Sequence, residues 1–418
     1  MTTLRSLPAL ALALLASSGS LDAQVVAYVG ATVWDGTGSA PIRDATMIVE
    51  DGRITAIATA GDVPSLAQIV RLDGKFIIPG LIDTHGHVSG RWAQEGVTGE
   101  SDRIRGDLEL FAKYGVTTVN SLGDGDAVIA VRDAASPTDP RARLLAAGSV
   151  VAGSDPAAAR AAAIANAEAG VDWLKLRVDD NLGEGRKMPW DAVQAVFDVG
   201  EERGLRVATH VFYLDDAKRL LEMGTGLVAH SVRDTDVDEA FIAALIDSGA
   251  CYVPTLTREL STFVYAERPD FFDNDFFTEL ADEREVARLS EPAFMERMRQ
   301  SSAAAGYRVA LRQALRNLKL LVDAGAPVTF GTDAGPAARF PGFFEHLELA
   351  LMVDAGLEPE QALIAATSRA AACLGLEDVG TLEVGKWADF IVLASSPMTD
   401  INNTQTLEQV YVAGKPMR

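Results

Sequence analysis

From Phe76 onward the chain alternates short apolar segments with longer stretches of helical character, and this rhythm restricts the fold more than any other feature. Strands are expected at Phe76 to Ile82, Thr117 to Asn120, Leu144 to Ala147, Trp173 to Arg177, Arg206 to Thr209, Gly226 to Ala229, Cys251 to Pro254 and Pro327 to Phe330. Helical stretches fill most of the intervals, and Gly115, Gly204, Gly224, Gly249 and Gly325 each stand just before a strand, where a helix C-terminus calls for a left-handed residue. Eight strands in alternation with helices is the count of an α/β fold of the (β/α)8 TIM-barrel type.

Outside that rhythm the pattern changes. Residues 24–80 read as short strands punctuated by Asp35-Gly36, Asp51-Gly52 and Asp73-Gly74 turns. Residues 377–418 return to turn-and-strand character, and neither piece is long enough for a secure sheet alone. The expectation is a small composite β-sandwich domain from both termini, around a barrel over 81–376. Residues 1–23 read as an export signal. Arg5 precedes the apolar run Leu7 to Ala16, and small residues lead to Ala23, which places the protein in the periplasm or outside the cell. That run is too short to span a membrane, and no later stretch reads as a span. Residues 257–300 interrupt the barrel with Phe263, Tyr265, Phe271, Phe272, Phe276 and Phe277. Leaving from the end of the seventh strand, the insertion is expected either as a lid or substrate wall, or as an aromatic patch packed on the barrel or on a partner subunit.

A formal net charge of −22 repels phosphate backbones and argues against a nucleic-acid partner. The only cysteines, Cys251 and Cys373, lie in apolar segments and are expected as buried small side chains rather than a pair or a nucleophile.

Histidines are few, and four of the five stand at strand ends. His85 and His87 follow an apolar strand two residues apart, so both imidazoles point to one side at its C-terminal end. His210 ends Arg206 to Thr209, His230 ends Gly226 to Ala229, and Asp333 follows Val328 to Thr332. Gathered at one mouth, imidazoles and a carboxylate suit zinc and related divalent ions. Lys175 lies inside the fourth strand, where an unpaired ammonium is costly and cannot bind a metal. It is expected either paired with Asp172 or Asp179 or reaching out to the barrel rim, or, as a ligand, deprotonated or converted to a carbamate. His346, in a helix after the last strand, is read as structural or as a support behind the site.

Residues 76–87 and 327–335, with the lone ligands between them, resemble the amidohydrolase superfamily, and more narrowly its imidazolonepropionase and prolidase-like branch. The resemblance extends to Gly30 to Gly38 and to the tail Gly380 to Val392. It implies two divalent metal ions, with zinc the first expectation. His85 and His87 would hold the more buried ion, His210 and His230 the second, and Lys175, as N6-carboxylysine, would bridge both. Asp333 would touch the buried ion and move the proton of a bridging hydroxide to the leaving amine. His230 joins Asp333 and Lys175 among the catalytic residues. A homo-oligomer is also implied. The sequence departs from the branch in His210-Val211-Phe212-Tyr213 and in Ala229-His230-Ser231, which alters the surroundings of these ligands.

The substrate is expected to be a small molecule: an amide with a free carboxylate, such as an Xaa-Pro-like dipeptide or an N-acyl amino acid. Arg177, Tyr213, Arg233 and Arg258 are the candidates for holding it, since an Arg can clamp a carboxylate with two parallel hydrogen bonds. The alternatives are a cyclic amide or lactone hydrolase, and a non-catalytic secreted binding protein.

Overall fold

The computed structural model describes residues 25–93 and 96–417. The expected export signal, residues 1–23, lies outside the described residues. The strands in chain order are β1 (Val25–Val33), β2 (Ile42–Glu50), β3 (Arg53–Thr59), β4 (Gln68–Arg71), β5 (Phe76–Pro79), β6 (Leu81–Gly86), β7 (Val116–Ser121) and β8 (Arg143–Ala146). They continue as β9 (Trp173–Arg177), β10 (Arg206–His210), β11 (Leu227–Ala229), β12 (Cys251–Val253), β13 (Phe390–Leu393), β14 (Leu407–Val412) and β15 (Lys415–Pro416).

Both ends of the chain contribute to one eight-stranded sheet, ordered β15-β14-β13-β5-β1-β2-β3 with β4 on β1. The expected single strand Phe76 to Ile82 is divided at Gly80. Its first half pairs with β13 and β1, while Leu81 starts the next sheet beside β7. Glycine is required at the join, because a Cβ there would come within 2.2 Å of Thr117 Oγ1.

The remaining strands form a TIM-barrel-like arrangement of two parallel sheets, β6-β7-β8 and β9-β10-β11-β12. Backbone bonds join them on one side, Asp172 N–H to Ala146 O at 2.8 Å and Val151 N–H to Lys175 O at 2.7 Å. On the other side the segment 327–334 lies between β12 and β6. Thr329 N–H donates to Tyr252 O at 2.8 Å and Thr84 N–H to Phe330 O at 3.0 Å. The eighth expected strand, Pro327 to Phe330, is thus an extended segment with a single parallel bridge, Tyr252 to Val328, rather than a regular strand.

Period-two alternation decides what faces inward. In β9, Leu174 and Leu176 join the large apolar cluster between strands and helices, each burial contributing roughly 2 kcal/mol. Trp173 belongs to the separate cluster containing Ile82, Ala208, Leu227 and Val253. Lys175 shares the Trp173 face, as His210 shares that of Ala208.

The cysteine expectation is corrected. Cys251 and Cys373 are buried as foreseen, but they are bonded to each other across 122 residues of sequence. The fold carries the helix Ser368–Leu374 back beneath the start of β12, a proximity that neither segment advertises locally. Closing so long a loop stabilises the fold by about 4–5 kcal/mol in the chain-entropy account. Replacing both cysteines with serine should therefore lower the free energy of unfolding in denaturant by that order; coincident curves with and without the bond would show that the clip contributes nothing.

The insertion after β12 is packed, not open. Phe271, Phe272, Phe276 and Phe277 meet Phe340, Phe343 and Phe344, with Phe277 ring centroids 4.9 Å from Phe340 and 4.8 Å from Phe343. Of the expected roles, packing on the barrel is the one these contacts satisfy. Among the described residues, no helix is long and apolar enough to cross a membrane.

Candidate metal centre

The C-terminal ends of β6, β9, β10 and β11 and the segment after Phe330 bring the expected ligands together. The ligand atoms of His85, His230 and Asp333 lie within 4.8 Å of one another. Asp333 Oδ1 is 2.8 Å from His87 Nε2 and 3.7 Å from His85 Nε2, and its Oδ2 is 4.0 Å from His230 Nε2. His230 Nε2 faces His210 Nδ1 at 2.8 Å. Close packing against neighbouring side chains and backbone holds this cluster in place. A Cβ on Gly331 would stand 2.6 Å from Val253 Cγ1, and one on Gly335 2.2 Å from His87 O. Asp333 itself adopts a left-handed φ of 59°, a region Asp tolerates better than most residues.

Each histidine has a partner on its far side or backbone. Asp124, in the Gly123-Asp124-Gly125 loop after β7, lies 3.1 Å from His87 Nδ1 through both oxygens. Asp179 accepts from His210 Nε2 at 2.8 Å, which leaves Nδ1 of a neutral ring as the lone-pair donor facing the centre. Thr255 Oγ1 is 2.6 Å from His230 Nδ1. Asp83 accepts the His85 backbone N–H at 2.8 Å, and Thr332 Oγ1 lies 2.5 Å from Asp83 and 3.1 Å from Glu345. Carboxylates behind ligating histidines are a recurring support of metal sites, fixing tautomer and ring orientation. None of these residues was read from the sequence as support for a histidine, and Asp179 was considered only as a partner of Lys175. The available signal was an acidic residue within a few positions of a strand end, which is common on any surface loop.

The electrostatics follow from burial and neighbours. Burial disfavours charge on His87, but Asp124 and Asp333 outweigh it and push the imidazole up to about 10. Burial dominates at His210, which falls to about 3, and holds His85 and His230 well below the usual range. Burial alone would raise Asp333, but Arg339, His87 and His85 hold it well below. Burial also brings the Lys175 amine down to about 7.

Lys175 is 3% exposed, and its Nζ has no hydrogen-bond partner among the described residues. The expected pairing with Asp172 or Asp179 is absent: Asp172 binds Arg132, and Asp179 binds His210 and Arg177. A buried amine of lowered basicity, orphaned beside imidazoles and a carboxylate, fits a group that completes it. Neutral imidazoles with carboxylate oxygen are the donor set of zinc-type ions, and His87, which Asp124 and Asp333 hold protonated here, would give up its Nε2 proton to join it.

The four residues considered for substrate are placed differently. Arg258 Nε is 3.9 Å from Asp333 Oδ2, and its Nη1 donates to Glu259 at 2.8 Å. Arg233 is enclosed, donating to Val211 O at 2.8 Å and Ser231 O at 2.6 Å and pairing with Glu259 at 3.0 Å. Arg177 is turned to Asp179 and Asn181, and Tyr213 donates to Asp180 at 2.8 Å. His346 lies away from the cluster, bonded to Thr404 at 2.9 Å and to Tyr114 O at 2.7 Å.

A TIM-barrel-like α/β fold with imidazoles and a carboxylate converging at its strand ends defines a class: metal-site hydrolases of the barrel type. The model of the Amidohydrolase family matches residues 76–417, and the chain belongs to that family, a hydrolase acting on C–N bonds. An uncharacterized protein of Mycobacterium tuberculosis is 27% identical over 395 residues, covering 88% of this chain and 90% of that protein. The imidazolonepropionase of Deinococcus radiodurans is 26% identical over 394 residues, covering 89% and 92%. Among solved structures, a Xaa-Pro dipeptidase with bound methionine superposes with a TM-score of 0.75 at 20% identity, covering 94% and 99%. Molinate hydrolase does so at 0.70 and 21%, covering 94% of each chain. Within the family the likeness runs to the imidazolonepropionase and prolidase-like branch.

Proposed function

We propose that this chain is a binuclear metal-dependent amidohydrolase that cleaves an amide C–N bond in a dipeptide of the Xaa-Pro kind or an N-acyl amino acid. The observation that carries the reading is the convergence of four histidines, Asp333 and the unpartnered amine of Lys175 on one buried centre. His85 and His87 would hold one ion and His210 and His230 the other. Lys175, carboxylated, would span the two as an anionic oxygen ligand. Two divalent ions, zinc by ligand type, would supply an acidified water and polarise the scissile carbonyl. Asp333, a carboxylate in contact with His87, would accept a proton and hand it to the leaving amine. Asp124 and Asp179 would fix the rings of His87 and His210.

The deciding experiment is a hydrolysis screen of the zinc-loaded protein. Dipeptides, including Xaa-Pro, and N-acyl amino acids are expected to turn over, and their amidated or esterified forms much less. The imidazolonepropionase relatives favour a second reading, a cyclic amide or lactone as substrate. Turnover confined to ring substrates would establish it in place of the first. No turnover of any C–N substrate by fully loaded protein would end both.

Asp124→Asn should weaken zinc binding roughly 10- to 100-fold, the usual effect of losing an outer carboxylate. Competition with a chromogenic chelator measures it, and wild-type affinity would remove Asp124 from the support of the centre.

We also propose export to the periplasm or the medium. The buried disulfide supports this, since such bonds persist in oxidising compartments. N-terminal sequencing of the mature protein tests it, and an intact Met1 terminus on cytosolic protein would refute it.

A further inference from the structure

We propose that Arg339, with Arg258 beside it, is the clamp for the substrate's α-carboxylate, an inference that rests on the free-carboxylate amide reading above. Arg339 Nη1 donates to Asp333 Oδ2 at 2.6 Å and to Asp333 O at 3.2 Å, and its Nε reaches Ser261 Oγ at 3.3 Å. Arg258 Nε stands 3.9 Å from the same Oδ2. Two guanidinium groups therefore meet on the Asp333 oxygen that is not engaged by His87. The leaving amine must approach Asp333 to receive its proton. In an amino-acid leaving group, a single carbon separates that nitrogen from the carboxylate. A cation touching Asp333 is consequently where the α-carboxylate falls.

The other cations near the centre are committed elsewhere. Arg233 is enclosed against carbonyls and Glu259, Arg177 is turned to Asp179 and Asn181, and Lys175 is buried. Arg339 keeps 19% of its side chain exposed, and its Nη2 makes no hydrogen bond among the described residues. A guanidinium with spare donors can take a carboxylate in two parallel bonds.

The loop that carries it is fixed by the aromatic insertion. Tyr265 O–H donates to Ala338 O at 2.6 Å, and Ala338 N–H donates to Glu285 at 2.7 Å. Trp92 Nε1–H donates to Gly335 O at 2.5 Å, and Gly335 N–H to Arg339 O at 3.0 Å. The insertion thereby acquires a purpose beyond packing, since it holds a binding residue on a rigid support.

The test compares Arg339→Gln and Arg339→Lys with the parent in the zinc-loaded enzyme, using an N-acyl amino acid and its carboxamide. Arg339→Gln should lower the ratio of kcat/KM for acid over amide by roughly 10- to 100-fold, the effect of losing a charge-assisted bond. Arg339→Lys should lose less, because the charge remains without the fork. Calorimetric binding of a ketomethylene analogue, which has no C–N bond to cleave, should weaken in its carboxylate form far more than in its carboxamide form. Equal losses on both forms would overturn the proposal and leave Arg339 as a positioning residue for Asp333. Should the parent hydrolyse neither compound, the functional reading fails; the binding arm still decides the clamp, which falls if carboxylate and carboxamide bind the parent equally.

Discussion

Asp333→Asn is expected to keep its metal and to lose roughly 10²- to 10⁴-fold in kcat/KM, the range of a general acid–base contribution. Asparagine has the same shape and retains a carbonyl oxygen toward His87 and His85, so the four imidazoles still define the site. What it cannot do is accept a proton. Burial opposes the negative charge on Asp333, yet Arg339, His87 and His85 hold the carboxyl well below its ordinary range. The carboxylate form is therefore favoured, a proton acceptor whose Oδ2 is met by Arg339 and whose Oδ1 faces His87. The measurement pairs steady-state kinetics with elemental analysis of the same sample. Full metal with undiminished turnover would remove Asp333 from proton transfer. The loss should also fall equally on an N-acyl amino acid and its carboxamide, which separates it from the selective loss expected of Arg339→Gln.

The strand rhythm from Phe76 made the barrel-like order legible because short, largely apolar or β-branched runs recur between glycine or polar turns and helical stretches. The ligands were legible for the same reason: a histidine that closes a short strand-like run emerges at the C-terminal end of that strand. Legibility stopped where tertiary proximity took over. Nothing local in Cys251 or Cys373 announces the other, since the helix Ser368–Leu374 reaches β12 only through tertiary folding across 122 residues of sequence. Asp124 and Asp179 are ordinary loop acids until the fold aims them at His87 and His210. Arg233 shows the reverse failure. A loop arginine near a ligand suggests a substrate contact, but backbone carbonyls of Val211 and Ser231 absorb its donors. Pro327 to Phe330 was expected as a strand from its composition; the short bridge it makes is set by β12 and β6, which its own sequence does not encode.

Lys175→Met should reduce bound zinc from two equivalents to one and lower kcat/KM on the order of 10²-fold or more, since even an outer partner of a ligand is worth 10- to 100-fold. Methionine fills the same volume without a charge, so the cost of burying an amine is removed and the fold should hold or gain in stability. That contrast is the point of the experiment. A structural lysine would be missed by the fold, whereas an orphaned Nζ at 3% exposure makes no bond whose loss could destabilise it. Burial brings the amine down to about 7, so an appreciable fraction is neutral and nucleophilic near neutral pH. A neutral amine adds to carbon dioxide, its nitrogen forming the new C–N bond and releasing one proton, to leave a carbamate. Intact mass under non-denaturing conditions should show the added carbon dioxide in the loaded parent and its disappearance in Lys175→Met or after acidification. Lys175→Glu, which restores an anionic oxygen on a shorter arm, should recover part of the second zinc. Two zinc equivalents in Lys175→Met, or a loaded parent with unmodified lysine mass, would take Lys175 out of the centre and leave a single-ion site held by His85, His230 and Asp333.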